Sequence, residues 1–96
     1  MSREVICKAI AARALLSFTY AGKQRRVEPH ILGHAKDGEL TLCAWQLQGG
    51  SGVGFRDFHV QKASNFVASD ETFPEARPGY NPNDTTLATV ICRLQK

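Results

Sequence analysis

No two cysteines in this chain of 96 residues are spaced C-x-x-C, and the three that occur, Cys7, Cys43 and Cys92, are odd in number and far apart. That excludes a zinc ribbon and a dithiol redox motif, and it predicts small, partly buried thiols in a reducing compartment. No apolar run approaches the ~20 residues a membrane span needs, and the first residues lack the apolar core of a secretory leader. A soluble, cytoplasmic protein with no membrane partner is therefore expected. The glycine-rich stretch Gly49-Gly50-Ser51-Gly52-Val53-Gly54 has no closing Gly-Lys-Ser/Thr and no helix after it. It reads as a hairpin connection and not as a phosphate cradle. His30, His34, His59 and Cys43 match no metal-ligand spacing, since His30 and His34 fall on or near a strand. Nor does any elbow or positioned helix make Cys43 a nucleophile. Neither a metal, a cofactor nor catalysis is expected.

What is present suits one small core. Hydrophobic residues make up 43% and charged residues 22%, an ordinary globular balance. The net charge of +3 permits an anionic partner without demanding one. Val5, Ile6, Ala9, Ile10 and Arg13 recur at helical spacing, predicting a helix over residues 2–14 with Ser2 as its cap. At Leu15 the period drops to two. Leu16, Phe18 and Tyr20 alternate with Ser17 and Thr19 as a half-buried strand, and Gly22 makes the turn after it. A second strand is expected over 24–33, with Pro29 at an edge or bend because it cannot donate to a ladder. Asp37-Gly38 marks a hairpin into a third strand over 39–47, covered on both sides. A fourth strand follows over 54–60, then a turn at Gln61-Lys62 and a fifth strand over 64–69. Residues 70–84, with Pro74, Pro78, Gly79 and Pro82, read as a linker or surface-hugging arm. The last segment fits either a helix or a strand. Its Thr, Val and Ile content favours a strand, one that docks on a sheet edge of its own chain or of a partner.

Arginines alternate with apolar residues on the second and fourth strands, so their guanidinium groups stand on a rigid support. Arg25 and Arg56 are the first candidates for an anion contact, since a guanidinium grips phosphate through two parallel hydrogen bonds. Each could equally be neutralised by Glu28, Asp57 or another carboxylate. Arg26 alternates to the opposite face and is expected to be solvated. Tyr20 and Trp45 could stack a base, although Trp45 also suits a core position. His59, between Arg56 and Lys62, could add hydrogen bonds or charge.

In order along the chain come Phe18-Thr19-Tyr20, Arg25-Arg26-Val27-Glu28-Pro29, Leu40-Thr41-Leu42 and Arg56-Asp57-Phe58, with Phe73 beyond. That succession, behind an N-terminal helix, resembles the WYL domain family over residues 4–73. Leu40 and Thr41 stand where the family has Trp and Tyr, and Lys62-Ala63 where it has a basic pair. The resemblance implies a five-stranded barrel of the SH3-like and Sm-like kind over residues 1–73, with residues 74–96 as a proline-rich arm and an extra strand. It also implies a ligand-sensing role in bacterial transcription regulation. The ligand would be single-stranded nucleic acid or a nucleotide, held by Arg25, Arg56 and Lys62 with Tyr20, Trp45 and His59 beside them. With no helix-turn-helix ahead of the barrel, a stand-alone member is expected. A protein–protein adaptor, a homodimer or a regulatory complex built through the C-terminal strand, is the alternative.

Overall fold

The computed structural model describes residues 2–49, 52–82 and 86–94. Helix α1 (Ser2–Ala12) leads into β1 (Ala14–Tyr20), β2 (Lys23–Ala35), β3 (Leu40–Gln48) and β4 (Gly54–His59). A single 3-10 turn (Val60–Lys62) carries the chain to β5 (Ala63–Thr72), and β6 (Leu87–Arg93) closes it. This is the mainly β architecture with an N-terminal helix that the change of period predicts. The strands form one antiparallel sheet in the order β4-β3-β2-β1-β5, with β6 added against β2.

Strand β2 is the organiser, because its 13 residues serve three neighbours. Lys23 to Val27 pair with β1, Arg26 to His34 with β3, and Ile31 to Ala35 with β6. Pro29 falls between the β1 and β6 ladders, and beside it the β3 register slips between Pro29 and Ile31. A residue without an N–H loses least at such a gap, so Pro29 marks the bend as expected.

The sheet rolls on itself. Phe18 on β1 and Phe58 on β4 have ring centroids 4.9 Å apart although β2 and β3 lie between their strands. In a flat sheet with strands ~4.8 Å apart, three spacings would separate them by about 14 Å. Inside the roll lie Leu16, Phe18, Val27, Leu42, Ala44 and Phe58, all buried. Helix α1 rests on β1, β2, β5 and β6 and buries Ile6, Ala9 and Ile10. No described helix is long and apolar enough to cross a membrane.

Several boundaries move for identifiable reasons. Ser2 stands inside α1, not ahead of it as a cap. The helix stops at Ala12 because Arg13 takes a left-handed φ of 53°, which starts β1 at Ala14. Strand β5 runs on to Thr72, so the arm begins later than composition suggests. Val60 leaves β4 for the 3-10 turn. The last segment is a strand, and it docks on β2 of its own chain.

The cysteine expectation is corrected outright. Cys7 on α1 and Cys92 on β6 form a disulfide, and Cys43 alone is outside any bridge. Folding brings the two sulfurs together because β6 returns to β2 directly under the helix. With it the cytoplasmic expectation loses its premise, which was a set of reduced thiols.

Candidate functional site

Cross-strand partners project to the same side of a sheet, so the ladders themselves sort the candidate residues. Phe18 faces Arg25 on β2, Val27 faces Gln46 on β3, Ala44 faces Arg56 on β4, and Leu42 faces Phe58. Arg25 and Arg56 therefore share the inner side of the rolled sheet, together with Tyr20, which follows Phe18 by two. Glu28, Trp45 and Phe55 form the matching row on the opposite side.

At one end of the roll Arg25 is held with unusual definition. Its Nη1 donates to Gln46 Oε1 at 2.9 Å and its Nη2 to the Tyr20 carbonyl at 3.3 Å. The guanidinium carbon sits 5.5 Å from the Tyr20 ring centroid and 5.9 Å from that of Phe58. Both rings attract a cation through their electron-rich faces. Among the described residues no carboxylate lies in ion-pair range of Arg25. Its positive charge is therefore anchored by neutral groups and left uncompensated.

Gln46 is the hidden half of this arrangement. It is completely buried, and its Nε2 donates to the carbonyls of Gly49 (2.8 Å) and Gly52 (2.6 Å). Because carbonyls only accept and a guanidinium only donates, the amide orientation is fixed on both ends. The glycine stretch is thus tied to the arginine through one side chain. Gly50 and Ser51 lie outside the described residues.

The edges of the roll meet here as well. The Tyr20 hydroxyl accepts the His59 backbone N–H at 3.3 Å and keeps its own proton to offer. Arg25 Nε and His59 Nδ1 are buried and have no hydrogen-bond partner among the described residues, and the same holds for Trp45 Nε1 on the opposite side of the sheet. A buried polar atom without a partner costs about 1–3 kcal/mol, so Arg25 and His59, which both contact Tyr20, would each gain from an incoming polar group.

The other predicted residues are placed differently. Arg56 is half-buried and donates Nη1 to the Phe55 carbonyl at 2.8 Å. Lys62 is exposed at the end of the 3-10 turn that follows His59. Trp45 does not join Tyr20: it lies on the opposite side of the sheet, under Arg77, whose guanidinium carbon is 5.1 Å from its ring centroid. Arg26, expected to be solvated, pairs with Glu71 on β5. Glu28 is not spent on Arg25 either, because Arg77 takes it through two bonds of 2.8 and 2.9 Å.

Two residues of these arrangements carry no signal in the sequence. Gln46 interrupts an apolar strand and carries no pattern of its own. Arg77 stands in a stretch whose prolines announce only an arm, and nothing in its spacing connects it to Glu28, 49 positions earlier. No family model, no curated protein and no solved structure matches the chain.

Proposed function

We propose that this protein is a non-enzymatic binding module that takes a phosphate-bearing ligand, single-stranded nucleic acid or a nucleotide, at the end of the roll where Arg25 stands. The observation that carries the reading is a guanidinium seated over Tyr20 and Phe58, tethered by a neutral amide and facing no carboxylate among the described residues. Such a group offers charge to a phosphate while its neighbours hold it still, which lowers the entropic cost of binding. Tyr20 supplies a hydroxyl and an aromatic edge, His59 reaches it through its backbone N–H, and Arg56, on the same side of the sheet, and the exposed Lys62 would add positive charge for the ligand. The WYL-like motifs support the same assignment, and with it an SH3-like barrel type and a place in transcription regulation. The rolled sheet and the 3-10 link between β4 and β5 agree with that barrel type.

Fluorescence anisotropy of a short labelled oligonucleotide tests this. Binding should be measurable at low salt and fall linearly in log–log form as salt rises. A charge-assisted hydrogen bond contributes about 1.5–3 kcal/mol, so Arg25→Ala should weaken binding at least tenfold, and the Arg25→Ala/Arg56→Ala pair should abolish it. Absence of binding at low salt by the folded protein would remove this function.

The adaptor reading has one observation in its favour: Val90 on β6 is 38% exposed although Leu87, which opens the strand, and Leu94, just past its end, belong to the core. A homodimer through β6 would bury it. Val90→Asp should then convert a dimer to a monomer in light scattering without changing oligonucleotide affinity.

A further inference from the structure

Residues 73–82 leave the sheet after β5 and fold back over its outer side, and one side chain receives them. His30 on β2 is completely buried, unlike His34 and His59. Its ring is stacked on Phe73 (centroids 5.7 Å apart, planes 8° apart), with Phe55 and Tyr80 edge-on at 5.1 Å each. Both ring nitrogens are engaged. Nδ1 lies 2.7 Å from the Glu28 carbonyl, and Nε2 accepts the Arg77 backbone N–H at 3.0 Å. A carbonyl can only accept and a backbone N–H can only donate. The proton therefore sits on Nδ1 and the lone pair on Nε2, so the ring is neutral and in one tautomer.

From this geometry we infer that His30 is an acid-sensitive latch for residues 73–82. A proton on Nε2 would set two donors against each other at the Arg77 contact and place a cation in a ring of aromatics. Release of the segment would lift Arg77 off Trp45 and uncover the Glu28–Trp45–Phe55 row. That exposes a second face, distinct from the Arg25 end of the roll.

Among the described residues, the charged and titratable groups around the latch come from β2, β3, β6 and the segment itself. Glu28 on β2 and Arg77 on the segment itself act on His30 with opposite signs, and Tyr80 is neutral, donating its hydroxyl to the Leu94 carbonyl at 3.1 Å. Arg93 on β6 and the Cys43 thiol on β3 act on Tyr80 with opposite signs, and the ring contacts from Phe55 on β4 and from Phe73 are aromatic. Burial holds the His30 imidazole below the usual histidine value. The Glu28 carbonyl and carboxylate oppose that shift, and Arg77 adds to it. The sign follows: the unfolded or released chain binds the proton more readily. Docking is therefore fully favoured above the unshifted value of about 6.5 and weakens as pH falls below it, until the docked value is passed.

Trp45 is the only tryptophan and lies beneath Arg77, so its emission reports the latch. On acidification from pH 7.5 to 4.5, emission should shift to the red. Amide exchange over residues 73–82, corrected for the intrinsic pH dependence, should rise at least tenfold while far-ultraviolet circular dichroism stays constant. His30→Gln, which can still accept from Arg77, should show neither change. The inference fails if the natural protein keeps its Trp45 emission and segment protection across that range. It fails equally if His30→Gln keeps the transition while Glu28→Gln loses it, since the carboxylate would then be the switch.

Discussion

At the scale of single residues, the charge on Arg25 is set by its partner and not by its exposure. A glutamine at position 46 supplies an acceptor without a charge, and its other end is spent on two glycine carbonyls. Gln46→Glu keeps the shape almost unchanged and reverses both consequences. The carboxylate would neutralise Arg25 and would face Gly49 and Gly52 with acceptor against acceptor. We expect oligonucleotide affinity to drop at least tenfold, about 1.4 kcal/mol, and stability to fall by roughly 1–3 kcal/mol from the unsatisfied carbonyls. Anisotropy and urea unfolding of the same variant measure the two separately. Unchanged affinity in the folded variant would mean that Arg25 does not meet the ligand. Arg25 itself was legible in the sequence, because alternation places it rigidly on a strand with Tyr20 nearby. Its neutral anchor was not, since a lone glutamine among Trp45 and Leu47 resembles a flaw in an apolar strand. Trp45 is grouped with Tyr20 as a stacking candidate in the sequence, but its ring lies under Arg77, and nothing sequential reveals that residues 73–82 cover that side.

At the scale of elements, β2 carries the consequences of serving three ladders. Its last third must admit β6 closely, and Gly33 shows how closely: a Cβ there would lie 2.1 Å from the Thr89 carbonyl oxygen and 3.2 Å from Val90 Cα. Both atoms are backbone, so nothing can rotate away. Gly33→Ala should therefore displace β6, at about 1–3 kcal/mol as for other overpacked sites, and speed amide exchange across the Ile31–Ala35 ladder. An unchanged urea midpoint would show that β6 is not seated as described. The elements with a local signal were readable in advance. Asp37-Gly38 gives a turn, with Gly38 at φ 89° and its N–H bonded to the Ala35 carbonyl at 2.9 Å, and the β-branched tail gives a strand. What lacked local signal was the partner of that tail and the length of β5, both set by which edges the roll leaves open.

At the scale of the whole molecule, a rolled sheet of this size needs a closure, and the Cys7–Cys92 bridge supplies a covalent one. It joins the first helix to the last strand across 85 positions, so it constrains nearly the entire unfolded chain. Three cysteines permit three pairings, and only the fold decides among them, which is why the bridge could not be read from spacing. Loop-closure entropy for so long a loop amounts to about 4–5 kcal/mol, and measured bridges typically contribute 2–4. A domain of this length has only about 5–15 kcal/mol in total, so the bridge is a substantial share of its stability. Reduction with a thiol should lower the urea midpoint by roughly 1–2 M, given a slope of about 2 kcal/mol per M. A Cys7→Ala/Cys92→Ala variant should start at that lower midpoint and ignore the reductant, whereas Cys43→Ser, outside the bridge, should respond like the natural chain. If reductant leaves the natural protein's midpoint where it was, β6 and α1 are held by packing alone, through Leu87, Leu94, Ile6 and Ile10, and the bridge is not what closes the roll.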